Sequence, residues 1–148
     1  MISKARRRRA WTWVLACAMS LLYIGGVRDY LLILVNDTGY IQEQFGIGGL
    51  RYFSDYPLLL RTLWTINIVC GLLAPVLLLV ASRRALPVAV TAAAAQCVLM
   101  VLTFGFYDRW ALLGGDIGWF DIGVTLATVA FALIVWRIQP TPSPRPGT

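Results

Sequence analysis

Four ionisable side chains sit in sequence otherwise fit for hydrocarbon: Arg28 and Asp29 in "YIGGVRDYLLILV", Arg61 in "PLLLRTLW" and Asp121 in "GDIGWFDIGV". Such residues are costly inside a bilayer, so they mark either a ligand or ion site or a set of mutually paired charges. Their depth follows from counting at about 1.5 Å per helical residue from the arginines at the opposite end of each apolar run. Arg28 and Asp29 lie roughly 28–30 Å beyond Arg9, Asp121 roughly 24 Å beyond Arg137, and Arg61 roughly 33 Å beyond Arg83. Against a hydrocarbon core of about 30 Å, all four fall in one layer near the same face. Adjacent helical residues diverge by about 100°, so Arg28 and Asp29 are expected to have different partners. Pairing Arg28 with Asp121 and Asp29 with Arg61 closes a two-plus-two network, to which Tyr30, Thr65 and Asn67 can add hydrogen bonds. A structural clamp, a ligand or ion site and contact with lipid headgroups all remain open, and the clamp is the cheapest to build.

The chemistry missing elsewhere narrows the choice. Asn67, Thr91, Gln96 and Thr103 are the polar residues of the middle layer, with no carboxylate or lysine among them. A proton-coupled carrier normally places a titratable group there, which weighs against an autonomous pump. No nucleophile–base pair or carboxylate pair stands out, so an enzyme is not expected. The chain has no histidine, and Cys17, Cys70 and Cys97 fall singly within apolar runs. No metal site and no cofactor are therefore expected.

The elements that must position these residues are four long apolar runs, Trp11 to Asn36, Pro57 to Ala81, Ala85 to Tyr107 and Gly115 to Trp136. With 59% hydrophobic and 14% charged residues and a mean hydropathy of +0.72, the 148-residue chain is too apolar for a soluble domain. Each run reaches the ~20 residues a spanning helix needs. None alternates as a barrel strand does, and a helix is the other structure that satisfies its backbone in lipid. The fold class is all-α: an integral membrane four-helix transmembrane bundle over residues 11–138. A basic segment, 1–10, precedes it. Residues 139–148, with four prolines, cannot stay helical and read as a tail.

The net charge of +6 is a topology signal. Lys4, Arg6, Arg7, Arg8 and Arg9, then Arg83 and Arg84, then Arg137 and Arg145 all fall on one side of a four-span path. The seven acids lie at or near the other side. The positive-inside rule makes both termini cytoplasmic, and nucleic acid is not an expected partner. The first run continues past the length of a signal-peptide core without an A-x-A-like site before Arg28, so it reads as an uncleaved first helix.

Outside the membrane the one sizeable region is the loop 37–56, "DTGYIQEQFGIGGLRYFSDY". "YIQEQF" reads as a helical turn or short interfacial helix, with a break at Gly46 to Gly49 and then a stretch lying along the surface. Tyr40, Phe45, Tyr52, Phe53 and Tyr56 suit an interfacial aromatic belt. They also suit a contact surface for a partner or a lid over a cavity. Within the membrane, Ala85, Ala89 and Ala92 to Ala95 let the third helix approach its neighbours closely and place it centrally. Gly114, Gly115, Gly118 and Gly123 offer the fourth helix the same possibility, and Pro75 is expected to bend the second.

Three stretches carry a resemblance: the glycine-then-"DY" end of the first run (Gly26, Asp29, Tyr30), "LRYFSDYP" leading into the second, and "GLLAPVLLLVASRRALPVAV" across the turn at Arg83 and Arg84. Over about residues 25–100 the chain resembles a family of small bacterial four-helix membrane proteins often labelled sugar transporters. Leu58 and Leu59 stand where that pattern has a tryptophan after the proline. The resemblance implies a bacterial inner-membrane location, and its transport label carries no weight for sugar binding. From the residues, the leading expectation is a non-catalytic accessory or structural subunit that packs with a larger membrane complex or oligomerises. The alternative is a small carrier or binding protein for a lipid, a quinone or a small polar solute. A cavity open to solvent and reaching the charged layer favours the second, and a layer closed by its own ion pairs favours the first.

Overall fold

In the computed structural model the backbone of residues 4–139 and the side chains of residues 10–139 are described; the expected basic N-terminal segment and proline-rich tail fall largely outside them. Six helices follow in order: α1 (Lys4–Leu34), α2 (Thr38–Ser54), α3 (Leu58–Leu79), α4 (Ala85–Phe106), α5 (Arg109–Leu113) and α6 (Gly115–Ile138). Within them, Ala10–Leu34, Leu58–Leu79, Ala85–Phe106 and Gly115–Ile138 are long and apolar enough to cross a membrane. A multi-pass, all-helical membrane protein follows from that.

The bundle is held by three broad interfaces, α1 on α3, α3 on α4 and α4 on α6, while α1 and α6 meet only narrowly. Small residues explain the central position of α4. Ala85, Ala89, Ala92, Ala93 and Ala95 are buried, so α4 lies close to α3 on one side and α6 on the other. Pro75 is buried within α3, which continues as helix on both sides of it.

The region between α1 and α3 is a folded cap. Asp37 starts α2 by accepting the Tyr40 amide at 3.0 Å, an ordinary N-cap. At Gly46 the backbone turns to φ 68, ψ −167, a conformation reserved for glycine, and two helical segments meet at an angle there. The second segment does not lie along the surface. It drives Tyr52, Phe53 and Tyr56 into a core with Ile41, Leu60 and Leu113, their rings edge-on or tilted at 5.0–5.7 Å.

Asp108 (φ 46) and Gly114 (φ 87) bound the one-turn α5 and fold it back against the bundle. Gly118 receives the Trp110 ring, which a Cβ there would meet at 2.4 Å. The glycine at that position thus seats a loop tryptophan instead of bringing two helices together.

Candidate functional site

Beneath α2 the bundle encloses a cavity of about 540 Å³, reaching from the α2 end halfway down the spans. Its walls come from all four long helices, its roof from Gln44, Phe45 and Phe53 of the cap, and its upper rim from Arg28, Asp29, Arg109 and Asp121. The size falls within the range of about 300–1,000 Å³ typical of small-molecule pockets.

The floor is built from neutral polar groups. Thr128 spends its hydroxyl proton on the Val124 carbonyl (2.8 Å), so the Tyr23 hydroxyl must donate to Thr128 (3.1 Å). Asn67 gives one N–H to the Tyr23 oxygen (3.3 Å) and the other to the Ala92 carbonyl (3.0 Å), which links α1, α3, α4 and α6 in one chain. Beside it, Gln96 donates to Thr125 (3.1 Å), whose own proton goes to the Asp121 carbonyl (2.8 Å). Both N–H groups of Asn67 are thus committed, and one of the two of Gln96. Among the described residues, no hydrogen bond reaches the amide oxygen of Asn67 or of Gln96, and both residues line the cavity. Tyr23 fits because Gly71 leaves room: a Cβ at that position would stand 2.0 Å from the tyrosine ring.

The charged layer exists but pairs differently from expectation. Asp121 binds Arg109, not Arg28, through Nε–Oδ2 at 2.6 Å and Nη2–Oδ1 at 3.3 Å, a two-pronged contact with both side chains under one-fifth exposed. The fold of α5 brings Arg109 there, and its guanidinium also lies 5.4 Å from the Tyr52 ring centre. Burial alone would lower the pKa of Arg109; the charge and hydrogen bonds of Asp121 outweigh that and raise it. Burial likewise pushes the Tyr52 and Tyr56 phenols up, against the partial opposition of Arg109.

Nor does Asp29 meet Arg61. Its carboxylate accepts the Tyr40 hydroxyl at 2.5 Å, while Arg28 lies 5.2 Å over the face of that same ring. Two side chains 100° apart can share one partner when the partner is an aromatic plane with a polar tip. Burial, followed by the bond to Asp29, raises the Tyr40 pKa to about 12. Arg61 is exposed and makes no ion pair among the described residues. Tyr30 donates to Thr65 (2.7 Å) and stacks edge-on against Trp64, so it clips α1 to α3 away from the cavity.

Of the expected aromatic contact surface, Tyr52, Phe53 and Tyr56 are at most 8% exposed, so this part of the expectation is corrected. Phe45 and Phe53 face the cavity as its roof, and Tyr40 ties the roof to α1. The sequence reading missed Tyr23 and Arg109 as site residues. Fold and site together define a four-span membrane protein with a roofed, polar-floored cavity. Comparisons with family models, with curated proteins and with solved structures give no match. Among the described residues no group of three His, Cys, Asp or Glu is placed to hold a metal ion.

Proposed function

We propose that this protein is a small integral membrane binding protein or carrier whose ligand occupies the cavity under α2. The observation that supports this reading is the cavity itself. It reaches the charged rim, and it ends on two amide oxygens that no hydrogen bond reaches among the described residues. Acceptors that face a cavity call for water or a ligand to satisfy them. With the arginine-rich ends cytoplasmic by the positive-inside rule, the cap and the mouth of the cavity face away from the cytoplasm.

The accessory-subunit reading remains as the second one. It is favoured by α1, whose spanning window is only 17% buried, the least of the four, and which offers Trp11, Trp13 and Leu21 to a neighbour. Native mass analysis of the protein in mild detergent separates the two. A small molecule that co-purifies and is lost in Gln96→Met supports the binding reading. Stoichiometric recovery in a larger assembly, with an empty cavity, supports the accessory reading.

A further inference from the structure

The cavity does not open only toward the cap. Leu21 and Phe120 line it and are yet 70% and 59% exposed, and Gly25 between them in height is exposed as well. These residues belong to α1 and α6, whose mutual contact is far narrower than those of α1 with α3 and of α4 with α6. At about 1.5 Å per residue the gap begins roughly 7 Å below the start of α6 and extends to roughly 20 Å below the end of α1. That is hydrocarbon depth in a core of about 30 Å. The side opening therefore meets acyl chains, not water.

The interior tells what head group would suit it. Arg109 is taken up by Asp121, and Arg28 is drawn over Tyr40. Among the described residues, what stays open at the floor is the amide oxygens of Asn67 and Gln96, roughly 14–15 Å deep, beside one N–H of Gln96; nearer the rim the carboxylates of Asp29, Asp116 and Asp121 outnumber the guanidiniums of Arg28 and Arg109, and Asp116 and one oxygen of Asp29 accept no hydrogen bond. A carboxylate, with no proton to donate, could take the one free Gln96 N–H but would leave both amide oxygens unmet and add a negative charge to a cavity whose acids already exceed its arginines. A hydroxyl or ammonium group would satisfy those oxygens. Phe45, Phe53, Tyr56, Trp64 and Phe120 supply an apolar body to the same space, and aromatic faces tolerate a cation as well.

We infer that the cavity takes a single-chain amphiphile with a hydrogen-bond-donating, non-anionic head group, admitted sideways from the bilayer between α1 and α6. The head rests on Asn67 and Gln96, and the tail leaves through the gap at Leu21 and Phe120. This rests on the binding reading above and adds to it a ligand class and a route.

The test uses three photoreactive probes of equal length, a long-chain alcohol, amine and carboxylate with a diazirine in mid-chain, added to the full chain in lipid nanodiscs. The expected result is labelling of cavity-lining positions on α1 and α6 by the alcohol and the amine, competed by excess unlabelled alcohol. The carboxylate should label at least about fivefold less, as expected for one hydrogen bond of about 1 kcal/mol. Gly25→Phe should cut the labelling about as strongly. Gly25 has open space where a Cβ would go, so the variant is expected to fold. Gly123→Phe is the control, because Gly123 is equally open but does not line the cavity.

Equal labelling by the carboxylate overturns the head-group assignment. Equal labelling in Gly25→Phe and Gly123→Phe overturns the side route. If no probe labels competitively while a small molecule still co-purifies in native mass analysis, class and route are wrong and the binding reading survives. If nothing co-purifies either, both fall.

Discussion

Replacing Gly71 by alanine tests the polar floor directly. The new Cβ would lie 2.0 and 2.1 Å from Cε1 and Cζ of Tyr23, where carbon atoms need about 3.5–4.0 Å. Tyr23 is 3% exposed and borders the cavity, so its ring must swing toward that space and take the hydroxyl off Thr128 and Asn67. Overpacking of this kind costs about 1–3 kcal/mol. The two lost interhelical hydrogen bonds add roughly 0.6 kcal/mol each, the average for such bonds in membrane bundles. The total is about 2–4 kcal/mol, mostly steric. At roughly 2–4 °C per kcal/mol for a chain of this size, thermal unfolding in detergent should shift down by roughly 4–16 °C. Tyr23→Phe keeps the ring and loses only the bonds, so it should cost about 1 kcal/mol. Removing the ring should relieve the clash, making Gly71→Ala/Tyr23→Leu less damaging than the sum of its single changes. If Gly71→Ala unfolds with the parent protein, or costs no more than Tyr23→Phe, the ring is not lodged against Gly71.

Three other perturbations have defined outcomes. Asp121→Asn leaves the Arg109 guanidinium buried without its counter-ion and should cost about 3 kcal/mol, whereas Arg109→Met with Asp121→Leu should recover much of that loss by chemical denaturation. Gly46→Ala meets no atom within 4 Å, so its penalty is purely conformational, about 1–3 kcal/mol, and should appear as faster hydrogen exchange in α2 alone. Tyr40 should ionise near pH 12, read as the phenolate absorbance missing from Tyr40→Phe. Because its folded pKa is raised, its stabilising effect is complete below pH 10 and is lost as the pH rises through 12; the α2 cap should therefore loosen over that window.

The spans were legible because each apolar run is long enough to leave no other reading, and the break in the loop was legible because glycines cluster there. Depth counting put Arg28, Asp29, Arg61 and Asp121 in one layer; the cavity is lined by three of them, and Arg61 lies outside it. The count failed on partners, since the charged layer it drew left out Arg109 of the 107–114 loop. The left-handed Asp108 and Gly114 turn that loop inward, and nothing in "YDRWALLG" announces that Arg109 follows. The aromatic loop was misjudged for a related reason. Tyr, Phe and Trp suit a headgroup belt and a small buried core equally, and only the tertiary position of α2 decides between them. Tyr23 passed as one more apolar-run residue because its role depends on Gly71, Asn67 and Thr128, each distant in sequence.

Sequence separation also divides the site's contacts by the time at which they can form. Arg109 and Asp121 are 12 residues apart, on one short helix and the start of the next, so they can meet as soon as α6 enters the bilayer. An ionised aspartate costs about 2.5–3.5 kcal/mol at the centre of an inserting helix and less near its end, where Asp121 stands, and a partner carried on the adjoining turn offsets part of that cost. Tyr23 and Thr128 are 105 residues apart, and their bond must wait until the last span finds the first. The ion pair is thus a local contact, available to α6 from its own connecting turn, whereas the tyrosine bond exists only once the first and last spans are packed together.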